Sequence, residues 1–284
     1  MAVREKALLA LGLPAGPVEE LWPLPSGGEA LRAASALVLI NAGDPLQLAF
    51  EAALYDLLGE ARYPAPAPLR SASGALIAGL DHGAAAAFAW PPGEPVANAE
   101  PPQLLEVGRL LARLHQLGEA HPASVADPCA ALLARLPQGG DALRIAAVLR
   151  EPIEELPRGA AHGGLVPMRA LFLGARCSAV LPSGFAASMP LVLDFAEAAL
   201  GWAFPLERPG PPLRALLSGY QAQRKLAAEE REGLWPALRR AAAREGARRL
   251  LGLSPGPPLV PLQAVEALGR EEVRAAARCA GRAP

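Results

Sequence analysis

Apolar positions recur at two different periods along this chain, and each switch of period marks an element. Residues 4–12 read as a short helix closing at Gly12 and Pro14. Turn chemistry follows in PLPSGGEA, and the unbroken apolar run SALVLI reads as a buried strand. After the turn NAGDP, PLQLAFEAALYDLLGE over 45–60 is an amphipathic helix with Pro45 at its start. Residues 61–98 alternate short apolar runs with Pro and Gly, which predicts two or three strands and a linker. The PPGEP stretch at 91–95 is the internal boundary.

A strong helix then begins at PPQLLEVGRLLARLHQLGEA. Leu104, Val107, Leu111 and Leu114 form one apolar stripe, with Glu106 and Arg109 on other faces. A further helix is expected over 140–154. Next comes LPRGAAHGGLVPMRALFLG, a loop leading into two short strands, RALFLG and CSAVLP. PLVLDFAEAALGWAF over 190–204 reads as a buried helix, and 212–252 as helix rich in Arg and Ala. SPGPPLVP breaks it before a last helix over 262–279. The order predicts an α+β fold of two lobes: a strand-rich N-terminal lobe over 1–92 and a larger helical lobe over 93–284. The large lobe carries the loop and hairpin of 156–185, and a hinge is expected near 91–100.

Composition narrows the function classes. Of 284 residues, 52% are hydrophobic and only 5% aromatic, so the core is aliphatic. A formal charge of -1 gives no global argument for nucleic acid or an anionic membrane surface. No run of apolar residues is long enough to span a bilayer. The opening MAVREKALLALGLPAG lacks the apolar run and cleavage site of a secretory leader. Cys129, Cys177 and Cys279 are widely spaced, which fits reduced thiols and a cytoplasmic protein. His82, His115, His121 and His162 show no metal-ligand spacing. Trp22, Trp90, Trp202 and Trp235 lie in apolar contexts and are assigned to the core, and the turn GLDHG at 79–83 carries no assigned chemistry. The lysines are Lys6 and Lys225, with none between.

Two stretches carry a resemblance. LLEVGRLLARLHQLG at 104–118 resembles the helix that opens the large lobe of the aminoglycoside phosphotransferase and homoserine kinase family. The segment 156–207 is more specific, because homoserine kinases of that fold have the form LP-x-G-x-x-H-x-D-L-x-P-D-N-x-x-F, a hairpin, then L-x-x-x-DF. His162, Leu165, Pro167, Phe172, Gly174, Asp194 and Ala196 stand at matching positions without a gap. The resemblance covers most of 100–252 and implies a protein-kinase-like, two-lobed fold. It also implies three degenerate positions. The catalytic aspartate is Gly164, the metal-binding asparagine is Arg169, and the second metal-binding aspartate is Pro182. None of these supplies the oxygen ligand that Mg²⁺ needs, and no Asp or Glu occurs from 158 to 193. His162 and Asp194 are retained as loop-bracing residues rather than catalysts.

These departures favour a pseudokinase: a kinase-like protein with no cofactor that binds a protein partner or a small ligand through protein-protein interaction or scaffolding. The alternative is a divergent kinase for homoserine or an amino alcohol, using ATP and Mg²⁺ held by relocated acids. Asp194, Glu197, Asp44, Asp56 and Asp81 are its candidates. A third reading is a metal-free sensor in which Arg169 pairs with a phosphate. An Arg169 that fills the emptied pocket or faces solvent is the blander option. Glu51 matches the acid that pairs the small-lobe lysine of kinases, but without that lysine it reads as an exposed helix glutamate. Arg239, Arg240, Arg244, Arg248 and Arg249 read as a solvated helix surface balanced by nearby glutamates. Self-association stays open.

Overall fold

A computed structural model describes residues 3–24, 28–42, 45–121, 125–127, 129–153 and 156–280; Asp44 and the end of the helix expected over 140–154 lie outside the described residues. The first lobe runs α1 (Val3–Ala10), β1 (Val18–Pro23), β2 (Glu29–Ala33), β3 (Ala36–Asn41), α2 (Pro45–Glu60), β4 (Pro68–Leu69), β5 (Ala78–Gly79) and β6 (Ala84–Ala89). The second begins with β7 (Glu94–Pro95), α3 (Pro101–Gly118), α4 (Cys129–Arg135) and α5 (Asp141–Arg150). It continues through β8 (Arg158–Ala161), a 3₁₀ turn (Pro167–Arg169), β9 (Ala170–Leu173), β10 (Arg176–Val180) and β11 (Ala187–Pro190). The remaining helices are α6 (Leu191–Trp202), α7 (Gly210–Gln223), α8 (Ala228–Leu250), α9 (Val260–Leu268) and α10 (Arg270–Cys279). Both lobes mix helix and strand, and the α+β expectation holds.

The run ALVLI at 36–40 is apolar throughout because both faces of β3 are covered. Side chains alternate across a strand. Leu37 and Leu39 point into the main core with Leu54, Tyr55 and Leu58 of α2. Val38 and Ile40 point the other way, into a smaller cluster with Ala7 and Leu8 of α1. The described strands of the first lobe form a six-stranded antiparallel sheet in the order β1-β2-β3-β6-β4, with β5 also paired to β6. The β1–β2 hairpin is an element the pattern at 17–34 hid behind its turn signals.

The stretch 91–95 is tied to the large lobe. β7 pairs with β9, and Ser178 Oγ donates to Pro92 O at 2.7 Å. Pro101 opens α3, and Gln103 Oε1 accepts from Glu100 N–H at 3.0 Å. The apolar stripe of α3 is buried as its spacing requires, and His115 is buried with it. β8 pairs antiparallel with β11 and brackets the loop 162–186 from both ends. The single helix expected over 262–279 is two, because Gly269 at φ +81° separates α9 from α10. No described helix is long and apolar enough to cross a membrane.

Candidate functional site

Asp194 organises the loop. It lies in the first turn of α6, fully buried, and it accepts from His162 N (2.8 Å), Gly163 N (2.8 Å) and Gly164 N (3.3 Å). His115 Nε2 donates to it at 2.9 Å. Burial alone would raise its pKa. The His115 hydrogen bond, with the neighbouring imidazoles and amides, wins and holds the carboxyl below the usual carboxylate range. The brace extends outward: His115 Nδ1 meets Tyr220 OH at 2.7 Å, and Arg224 Nη1 donates to both Tyr220 OH and Glu230. Helices α3, α6, α7 and α8 are thereby joined to one buried carboxylate.

Wrapping successive amides around one carboxylate needs backbone that only glycine adopts freely. Gly163 has φ +77°, and a Cβ there would lie 2.2 Å from Phe185 O. Gly163→Ala is expected to cost about 3 kcal/mol from left-handed strain plus a backbone clash. A denaturant midpoint equal to that of the unmodified chain would contradict this close approach.

His162 is also fully buried. Its Nε2 donates to Leu181 O at 2.9 Å, which sets the Nε2–H tautomer. Burial pushes its pKa down to about 4, so the ring is neutral at pH 7. Pro182 follows in the same segment, and the residues after it are held by Glu51. Glu51 Oε1 accepts from Ser183 N at 2.6 Å, and Oε2 accepts from Gly184 N at 2.9 Å. The exposed reading of Glu51 is therefore corrected: the residue is fully buried. Its place was legible in retrospect, since Leu48, Glu51, Ala52 and Tyr55 share one buried face of α2. Burial raises its pKa to about 7, against the pull of the amides and of Arg169.

Arg169 ends the 3₁₀ turn at only 8% exposure. Its Nη1 donates to Gly164 O at 2.9 Å, and its guanidinium lies 5.3 Å from the Trp22 ring centre and 5.1 Å from that of Phe185. Burial, then the like charge of Arg248, lowers its pKa to about 10, so it stays a cation. Trp22 Nε1 donates to Ser183 O at 3.2 Å, and Leu24 packs so that a Cβ on Gly184 would sit 2.2 Å from its Cδ2. The β1–β2 hairpin thus rests directly on the 183–185 turn. Beside Arg169 opens a cavity of about 450 Å³, whose walls include Trp22, Val166, Phe185, Leu200, Phe204 and Arg248.

A profile of the phosphotransferase enzyme family matches residues 36–239. The chain belongs to that family. It is 34% identical over 223 residues to a homoserine kinase of Sinorhizobium fredii, covering 72% of this chain and 67% of the relative. It is 32% identical over 222 residues to a homoserine kinase of Acidiphilium cryptum, covering 70% and 68%. Its fold is similar to that of a solved amicoumacin kinase in complex with AMP-PNP and Ca²⁺, with a TM-score of 0.71 at 14% identity over 96% of this chain and 92% of that one. The two-lobed, kinase-like architecture is thereby established.

Judged by its residues, this phosphotransferase-family chain does not fit a magnesium nucleotide at the loop. Gly164 offers no side chain, Pro182 no ligand atom, and Arg169 brings a cation. The other acids are engaged. Asp194 and Glu51 are saturated by amides and His115; Asp56 pairs with Arg70, and Asp81 with Lys6. Glu197 lies 2.9 Å from Arg244 Nε. Among the described residues no group of three or more His, Cys, Asp or Glu is gathered where it could hold a metal ion.

The solvated reading of the basic helix also needs correction. Arg244 is fully buried and bridges Glu197 to Asp127, 3.1 Å from its Nη2. Sequence reasoning missed it because an Arg among alanines looks the same whether it faces water or a buried acid. Trp22 was rightly assigned to the core, but its place against Arg169 was missed, as was the part of His115 in the brace. His115 could have been found, because it stands four residues after Leu111 on the edge of the buried stripe.

Proposed function

We propose that this phosphotransferase-family chain no longer transfers phosphoryl groups and acts as a cytoplasmic binding or regulatory protein. The observation that carries this reading is the guanidinium of Arg169, packed against Trp22 and Phe185, at the position where the family resemblance implies a metal-binding asparagine. A cation there repels Mg²⁺. Losing the base and both metal ligands removes the substrate-orienting and charge-neutralising parts of phosphoryl transfer together.

The similarity to homoserine kinases favours a second reading, a divergent small-molecule kinase. The two separate cleanly. The purified chain is incubated with homoserine, aminopropanol or choline and Mg²⁺-ATP, and ADP release is followed. Thermal unfolding is measured with ATP, Mg²⁺ and both. Expected are ADP release at background and no stabilisation by the pair beyond ATP alone. Substrate-dependent ADP release, abolished by chelating Mg²⁺, would establish the kinase instead.

A further inference from the structure

We propose that the 450 Å³ cavity beside Arg169 binds a small organic carboxylate with an apolar body, its anionic end against the wall made by Arg169 and Arg248. The volume lies within the range of small-molecule sites. The charged residues lining it are Arg169, Arg248 and Arg249 against Glu197 and Glu245. Glu245 is hydrogen-bonded, whereas Glu197 is held by ion pairing alone, neither of its oxygens accepting a hydrogen bond among the described residues. Glu245 Oε1 accepts from Arg249 Nε at 3.0 Å and from Ser254 Oγ at 2.6 Å, and Glu197 Oε1 lies 2.9 Å from Arg244 Nε. The lining thus carries one more cation than anion, and Arg169 and Arg248 are the two guanidiniums without a close carboxylate partner among the described residues.

The donors that would meet that anion are short of partners. Among the described residues, Arg169 Nε is buried with no hydrogen-bond partner, as are Nε and Nη2 of Arg248. Arg248 comes no nearer to a carboxylate than 3.7 Å from Glu197 Oε1 and 3.8 Å from Glu245 Oε2. Unmet buried donors of this kind are costly and gain most from an ionised acceptor. Both guanidiniums also stack on Phe185, Arg248 at 4.7 Å, so their charges crowd one ring. An anion between protein and cavity relieves that crowding. The rest of the wall is apolar, with Trp22, Val166, Leu200 and Phe204 facing an apolar body rather than a sugar or a polyamine.

This inference rests on the non-catalytic reading only in that Arg169 is taken to stand free of any metal. The probes are indole-3-acetate, 3-phenylpropionate and octanoate, each against its primary amide. Binding is read by isothermal titration and by tryptophan fluorescence, since Trp22 lines the cavity. Expected is saturable binding of at least one carboxylate, with its neutral amide at least tenfold weaker. Arg248→Met is expected to weaken the carboxylate at least tenfold and leave the amide unchanged. Arg169→Met is the second variant; it is checked for folding first, and a folded protein is expected to lose carboxylate binding likewise. Equal binding of acid and amide, no binding of any carboxylate at millimolar concentration, or full binding by Arg248→Met would each overturn the proposal. Failure here leaves the non-catalytic reading standing. Substrate-dependent ADP release would remove that reading without changing the acid-versus-amide result.

Discussion

Asp194→Ala is expected to lower folding stability by about 4 kcal/mol, enough to leave a marginal domain largely unfolded. In a thermal scan this is a fall of roughly 10 °C in the midpoint for a chain of this size. The carboxylate is the common acceptor for three loop amides and His115 Nε2. Removing it strands all four donors in the interior, and each orphaned buried donor costs about 1–3 kcal/mol before relaxation. Asp194→Asn tests the charge separately. It keeps the shape, but one oxygen becomes an NH₂ that faces donors, so it is expected to recover only part of the loss. Stability from Asp194 is present above the unfolded carboxylate's pKa and lost as pH falls through its lower folded value. The stability gap between the unmodified chain and either variant is therefore expected to narrow as pH falls through that value. If Asp194→Ala unfolds at the same temperature as the unmodified chain, the loop is held by something other than this brace.

How far the sequence foretold this architecture depends on the kind of signal each element carries. The strand at 36–41 and the helices at 45–60 and 101–118 were readable because long apolar runs or stripes leave little choice of face. The hairpin of 170–180 was readable from its turn. The pairing of β8 with β11 was not, since RGAA and ASMP carry no alternation and pair only because the loop between them returns. Gly269 was not read as a break, because the residues flanking it all favour helix. That Gly164, Arg169 and Pro182 stand where the resemblance implies polar groups was legible only by comparison with a family pattern. What took their place was not. Whether Arg169 enters the site or leaves it depends on Trp22 and Phe185, which approach from distant parts of the chain. Glu51 shows the same limit from the other side: a kinase-like acid without its lysine looks dispensable until the amides of Ser183 and Gly184 are placed against it.

The burial of Glu51 sets up a compensation with His162. Burial raises Glu51 from its ordinary value of 4.5 to about 7. A folded pKa above the unfolded one contributes stability that is complete below pH 4.5 and lost as pH rises through 7, in total about 3 kcal/mol. Burial lowers His162 from 6.5 to about 4. Its contribution runs the other way: complete above pH 6.5 and lost as pH falls through 4, again about 3 kcal/mol. The windows overlap, so these two contributions are expected nearly to cancel between pH 4.5 and 6.5. Glu51→Gln removes one arm. Its remaining oxygen still accepts from Ser183 N, but nothing titrates there, and the His162 arm is uncovered. The variant is expected to gain stability steeply as pH rises from 4 to 6.5. The difference between variant and unmodified chain then changes by about 3 kcal/mol across pH 4.5 to 7. Urea midpoints measured at half-unit steps of pH read this directly, and other titrating groups cancel in the difference. Parallel curves for the two proteins would mean that Glu51 stays ionised when buried, with Arg169 and the two amides fully compensating its charge.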